Sequence, residues 1–344
     1  MDSRYSNIFI NSHPGKYELI TFVENKSSSA YMRIFQGFEQ LNAIPNPVLT
    51  IGTFDGVHLG HQKIIEQLNE EARKIGGESV LFTFYPHPRM VLYPENHGLR
   101  LIQTQVEKVD KLRRIGLQNV IIHPFTKEFS RLSATEFVRD YLVNRLNVKK
   151  LVIGYDHQFG KNREGSLKFL LDVCDTYGFE VIEITAEEVD EVNISSTKIR
   201  RSIQEGDMGK AQKYLGEPFE LYGKVVHGEA LGRSLGFPTA NLDVESEIKL
   251  LPKSGVYAVN VLLSDGMIYE GMMNIGERPT VNNENKTSIE VNLFDFEGDL
   301  YNEQITVQLL SRFRDEIRFD SLEELKEQLR KDEDDIRNYF STSL

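Results

Sequence analysis

The stretch Leu49-Thr-Ile-Gly-Thr-Phe-Asp-Gly-Val-His-Leu-Gly-His61 limits most tightly what this chain can fold into. Apolar residues from Val48 to Ile51 read as a buried parallel strand, and Gly52 and Gly56 interrupt it. Ile64, Ile65 and Leu68 then recur with the spacing of one helical face. A strand, a tight turn and a helix beginning near Gln62 are expected, with His58 and His61 in the opening turn. Such a turn presents free N–H groups and the positive end of the helix dipole, which suits an anion. His58 and His61 are three apart, so both rings lie on one side of the turn. Gly60 removes a side chain where a phosphate approaches the backbone. Gly52, Thr53, Phe54, Asp55 and Gly60 are therefore candidate polyphosphate-binding positions, with Asp55 equally readable as a turn residue. Two histidines at this spacing also fit a metal pair, although no third and fourth ligands accompany them.

The same kind of unit repeats through the first two thirds of the chain. Strand candidates 48–53, 79–84, 120–123, 151–154 and 180–184 alternate with helical patterns over 62–74, 106–114, 134–146, 166–175 and 196–214. That alternation predicts a parallel sheet wrapped by helices, with ligands at the C-terminal ends of the strands. Gly154-Tyr-Asp-His-Gln-Phe-Gly160 and Ile194-Ser-Ser-Thr-Lys-Ile-Arg200 should then converge on the first motif. Ser196 and Thr197 can cap a helix or donate to phosphate, and Arg200, one turn on, can add a bidentate contact.

The pattern changes after Gly216-Glu-Pro218. Short strands over 220–226, 256–263, 268–275, 288–294 and 304–310 follow one another. Ser264-Asp-Gly266 and Glu297-Gly-Asp299 supply turns, so an antiparallel barrel is expected. Ser321-Leu-Glu-Glu324 reads as a capping box for a final amphipathic helix. The expected organisation is a leader (1–31) without an assigned role, an α/β domain (32–216) and a β-rich domain (217–344). Asn25-Lys-Ser-Ser-Ser29 reads as a polar loop within the leader.

Composition narrows the function classes. A net charge of −12 argues against broad nucleic-acid binding, while leaving small anionic ligands open. The single Cys174 excludes an internal disulfide framework and a multi-cysteine zinc site. No apolar run approaches the roughly 20 residues needed to cross a bilayer, and no signal-peptide pattern opens the chain. No membrane association and a cytoplasmic location are expected.

Gly52–His61 together with Ile194–Arg200 resembles the nucleotidyltransferase half of prokaryotic bifunctional riboflavin kinase/FAD synthetases, as does Phe84-Tyr-Pro-His-Pro88. His227-Gly-Glu-Ala-Leu-Gly-Arg-Ser-Leu-Gly-Phe-Pro-Thr-Ala-Asn-Leu242 and Glu290-Val-Asn-Leu-Phe-Asp-Phe-Glu-Gly-Asp-Leu-Tyr301 resemble the flavokinase signatures. The resemblance implies a Rossmann-like N-terminal domain and a flavokinase barrel. It also implies two reactions: riboflavin and ATP give FMN, then FMN and a second ATP give FAD and pyrophosphate. Glu290 matches the family's general base, and Thr239 and Asn241 match the positions that hold Mg²⁺ and ATP phosphates. Gly228, Gly232 and Gly236 permit a flap to close over nucleotide and are equally readable as loop glycines, and Asp156 is a candidate flavin contact. His58 and His61 then become phosphate-binding and transition-state groups of adenylyl transfer. The chain departs from the family at His157, where an aromatic residue is usual, and in the leader, which has no counterpart. Two other readings compete: a nucleotidyltransferase with a pantetheine or nicotinate nucleotide as acceptor, and a flavin carrier or regulator with an inactive site.

Overall fold

The structure, a computed structural model, describes residues 5–13, 16–23, 32–39, 41–95, 98–154, 157–185, 194–228, 232, 235–244, 246–279 and 285–342. The loop expected at Asn25–Ser29 lies outside them. The leader, for which no element was expected, contains an antiparallel pair, β1 (Tyr5–His13) and β2 (Lys16–Val23), forming its own two-stranded sheet. By compactness the chain divides between Ser195 and Ser196.

The first unit is built on six parallel strands: β3 (Arg33–Gln36), β4 (Val48–Ile51), β5 (Ser79–Tyr85), β6 (Asn119–Pro124), β7 (Lys150–Gly154) and β8 (Glu180–Ile184). Their order is β3-β6-β5-β4-β7-β8, so the winding reverses beside β4. Ligand crevices of open α/β sheets form at such a reversal, at the carboxyl ends of the strands. All four residues of β4 are buried, as a strand covered on both faces requires. Alternate residues go to opposite layers. Val48, Leu81 and Val120 pack with Ile65 and Leu68 of α1 (Leu59–Lys74) and with Val109 and Leu112 of α3 (Gln105–Arg114); the short α2 (Pro88–Leu92), which precedes α3 in the chain, buries no residue. Leu49, Val80, Phe82 and Ile121 pack on the other side, with Phe137 of α4 (Ala134–Phe137) and Leu170 of α5 (Leu167–Tyr177).

Two helices differ from their expected form. The pattern over 134–146 becomes α4 followed by a π-helical turn at Val138–Val143, which buries Val138 and Leu142 against the sheet. The pattern over 196–214 is two helices, α6 (Ser196–Glu205) and α7 (Met208–Leu215). Gly206 separates them, and the Asp207 carboxylate caps the second by accepting the Lys210 N–H at 3.0 Å.

These two helices belong to the second compact unit, where α7 packs on β9 (Phe219–Val226) and β14 (Gln304–Arg314). The compact boundary therefore falls ahead of the change in sequence pattern at 216. The other barrel strands are β10 (Ala240–Asp243), β11 (Gly255–Leu262), β12 (Ile268–Pro279) and β13 (Asn285–Leu293). Antiparallel pairing closes them in the order β10-β13-β12-β11-β14-β9. The four-residue β10 completes the ring and was not expected as a strand, because Pro238-Thr-Ala-Asn241 carries a turn-like composition. The last helix, α8 (Leu322–Thr342), sets Leu325, Leu329 and Ile336 against Val256 and Met272. Ser321 caps it as expected, but Glu324 accepts from the Asp320 N–H. A two-pronged pair between Arg314 and the buried Asp332, at 2.9 and 2.6 Å, fixes α8 to β14.

Candidate active sites

In the first unit the turn after β4 is held from three directions. His58 is the N-cap of α1, its Nδ1 accepting the His61 N–H at 3.4 Å, so the helix starts earlier than the sequence pattern indicated. Because Nδ1 accepts, the proton of a neutral His58 belongs on Nε2. The His61 ring lies between the His58 ring, 3.7 Å away by centroids, and the Phe54 ring, 4.4 Å away. Phe54 and Val57 have φ of +48° and +32°, conformations that side chains other than glycine adopt at a cost. The buried Asp55 carboxylate accepts the N–H groups of Ile102 and Gln103 at 3.0 and 3.3 Å, tying the turn to the loop before α3. Gly52 donates to the Phe82 carbonyl, and a Cβ there would come within 2.8 Å of the Phe54 ring. Gly60 is buried in the first turn of α1.

Burial sets the charge state of this site. It lowers the His58 pKa from 6.5 to about 4. It also takes His61 well below 6.5, with the charges of His58 and Lys108 acting in the same direction. Both rings are neutral in the ligand-free protein at neutral pH, offering dipoles and N–H groups and no formal charge. Among the described residues no group of three or more His, Cys, Asp or Glu is placed to hold a metal ion.

The sequence reading missed Lys108 and an aromatic group beside the carboxyl ends of β5 and β6. Lys108 is buried under the turn with Nζ 3.2 Å from the Thr53 carbonyl. Phe84, Phe125 and Phe129 meet with centroids 5.5 to 5.7 Å apart, and His123 stands 4.8 Å from Phe129. Burial, then Arg145, lowers the His123 pKa to about 4. An excess of aromatics around 125–141 was the available sequence signal.

His58 makes acid destabilisation of this unit an expected result. In the unfolded chain it takes a proton near 6.5, in the folded chain only near 4. The unfolded state therefore binds more protons between those values, and stability falls as pH drops through that window, then levels off. The loss from His58 alone is about 2 kcal/mol at about pH 5, and His123 acts in the same direction. Denaturant titrations across the window check this, and His58→Gln should flatten the slope.

Of the remaining first-half candidates, Asp156 lies outside the described residues. His157 is half-buried, its ring 6.0 Å from Phe159. Ser196, Thr197 and Arg200 open α6, with Thr197 exposed and the other two half-buried.

The second unit brings its candidates together. Asn241, Glu290 and Asn274 stand side by side on β10, β13 and β12, so their side chains share a face. All three line one cavity of about 240 Å³, with Thr239, Asn292, Phe237, Met272 and Leu325. The Thr239 hydroxyl donates to the Glu290 carboxylate at 3.3 Å, and Asn292 donates to the Pro238 carbonyl at 2.7 Å. Thr239 also lines a smaller cavity of about 90 Å³ with Phe296, Leu300 and Tyr301, and the Tyr301 ring stacks 3.8 Å from His227. A side chain at Gly232 would collide with the Phe237 carbonyl, and one at Gly228 would displace the Asn241 amide; Gly236 follows, exposed. Residues 229–231 and 233–234 of the same stretch lie outside the described residues.

An apolar cavity and an aromatic one thus meet at an oxygen-rich seam, while a separate unit presents a tight turn whose His58 caps a helix. Comparison with known proteins agrees with this division. Residues 41–198 match the family model for FAD synthetase, and residues 215–340 the model for riboflavin kinase. The chain is 38% identical to the bifunctional riboflavin kinase/FMN adenylyltransferase of Escherichia coli K12, over 90% of this chain and 98% of that one. It is 36% identical to the Haemophilus influenzae protein of the same description, over 90% and 100%. A crystal structure from Streptococcus pneumoniae, described as a macrolide-efflux protein, superposes with a TM-score of 0.79 at 34% identity, covering 89% of this chain and 99% of that one. Among the described residues of this chain no helix is long and apolar enough to cross a membrane. With both family models matched in order and relatives covered almost end to end, the chain belongs to the bifunctional riboflavin kinase/FMN adenylyltransferases, enzymes of FAD biosynthesis.

Proposed function

We propose that the barrel cavity phosphorylates riboflavin and that the turn at Gly52–His61 then adenylylates the FMN so formed. The observation that carries the first step is Glu290, a carboxylate inside the cavity with the Thr239 hydroxyl against it. The attacking ribityl hydroxyl is neutral, so Glu290 takes its proton as the oxygen bonds to the γ-phosphorus and ADP departs. The apolar cavity suits the flavin ring and the aromatic one the nucleotide, with Thr239 between them. Thr239 and Asn241 offer hard oxygen atoms of the kind Mg²⁺ accepts beside waters and phosphates, and would hold it here. Bound Mg²⁺ would neutralise phosphate charge.

FMN already carries an ionised phosphate, so the second step needs alignment more than a base. A phosphate oxygen of FMN bonds to the α-phosphorus of ATP, and the bond to pyrophosphate breaks. His58, His61 and the opening turn of α1 supply donors to the phosphates, while Ser196, Thr197 and Arg200 open a helix of the other compact unit. The aromatic group at Phe84, Phe125 and Phe129 is suited to stack the flavin. A cytoplasmic location, where ATP is plentiful, accompanies this reading.

Incubation with riboflavin, ATP and Mg²⁺, followed by chromatography of the flavins, should yield FMN first and FAD after it. FMN without FAD would overturn the two-step assignment, and unchanged riboflavin would favour a flavin carrier.

A further inference from the structure

Lys108 is a buried cation that neither proposed reaction has used. Only 5% of its surface is exposed, and its Nζ lies 3.2 Å from the Thr53 carbonyl and 3.4 Å from the Thr83 hydroxyl. Thr83 itself donates to the Thr53 carbonyl at 3.3 Å. That carbonyl is therefore gripped by two donors, one on α3 and one on β5. In a planar trans peptide the C=O and the following N–H point in opposite directions. With Thr53 C=O turned towards Lys108, the Phe54 N–H points the other way, and it has no hydrogen-bond partner among the described residues. Phe54 holds its positive φ under this grip, with the His61 ring stacked on its own.

We propose that Lys108 is a positioning residue for adenylyl transfer: it locks the Thr53–Phe54 peptide with the Phe54 N–H presented to the polyphosphate, and places a full positive charge beneath the turn. This rests on the assignment of that turn to the phosphates of ATP. A buried ammonium loses hydration and is retained only where it is compensated. Burial lowers the Lys108 pKa to about 8 and the charge of Asp55 opposes that, so the ammonium is only partly compensated yet still carries its proton at neutral pH. The neighbouring histidines are neutral, so the formal charge directly beneath the turn comes from Lys108 and not from them. A structural role and a positioning role separate cleanly. Replacing a buried cation by an apolar side chain of similar volume is often neutral or stabilising for the fold. The same change removes the grip on Thr53 and the charge beneath the turn.

The test is Lys108→Met in the full chain, with kcat and KM measured for FAD formation from supplied FMN. Riboflavin phosphorylation by the second unit serves as the folding control within the same molecule. The expected result is a fall of about 100-fold in kcat/KM for ATP, the scale of a lost transition-state donor, with KM for FMN and the kinase rate unchanged. Thr83→Val, which removes only the second donor, should lower the same quantity by about threefold to tenfold. FAD formation by Lys108→Met at the wild-type rate would overturn the proposal, as would a loss confined to KM for FMN. Should Lys108→Met fail to fold, Thr83→Val decides: an unchanged rate of FAD formation overturns the grip on Thr53. A wild-type chain that makes FMN but no FAD would instead overturn the underlying assignment of the turn, and the proposal with it.

Discussion

Glu290→Gln is expected to abolish FMN formation from riboflavin while leaving FAD formation from supplied FMN intact. Glutamine keeps the shape of the side chain and an oxygen for the Thr239 hydroxyl, so the cavity should be preserved. What it cannot do is take the ribityl proton as the γ-phosphoryl group transfers. Loss of a positioned general base costs about 10²–10⁴-fold in rate. FAD formation survives because Glu290 and the Gly52–His61 turn belong to different compact units. Flavins resolved by chromatography, starting once from riboflavin and once from FMN, give both rates. A parallel fall in the two would mean that the division of labour is wrong.

The reciprocal variant, His61→Ala, should let FMN accumulate and halt FAD. His61 is enclosed by the His58 and Phe54 rings, and its N–H closes the cap of α1 through His58 Nδ1. The backbone bond survives the substitution, but the ring and its donor are lost. One exposed contact between an anion and a helix dipole contributes only about 0.3–1 kcal/mol, too little to matter alone. A donor aimed at developing charge in a water-poor site is worth about 2.7–4 kcal/mol, or about 10²–10³-fold in rate. The larger figure applies because both histidines are dehydrated enough to be held neutral. A normal FAD yield from His61→Ala would remove His61 from the adenylylation site.

The parallel sheet was legible because its strands are runs such as Val48–Ile51 and Val80–Phe82, buried on both faces and punctuated by glycine. Ala240–Asp243 was not, since a four-residue strand carries too little periodicity to stand out from a turn. It becomes a strand by pairing with Val226 and Glu290, neighbours that only barrel closure supplies. The break between α6 and α7 was written in the Gly206-Asp207 pair but hidden by the apolar spacing that continues across it, from Ile199 and Ile203 to Met208, Ala211 and Leu215. At the first site the two histidines were evident from spacing, while Lys108 looked like any charged residue of an amphipathic helix. Nothing local distinguishes it from Lys111 or Arg113.

By itself the sequence determined most of the strand and helix alternation from Val48 onwards, the change from parallel to antiparallel architecture and the family, because periodicity, turn residues and long motifs are local properties. Only the tertiary structure decided the charge state of the first site. His58 and His61 read from the sequence as phosphate-binding groups with no indication of their charge, and folding buries them and holds both neutral. Lys108, which the sequence would place on a surface, is carried beneath the turn. The physical reason is that desolvation and Coulomb interactions depend on distances between groups far apart in the chain. Lys108 meets Thr53 and Thr83 across 55 and 25 positions, and no reading of neighbours along the sequence contains those contacts.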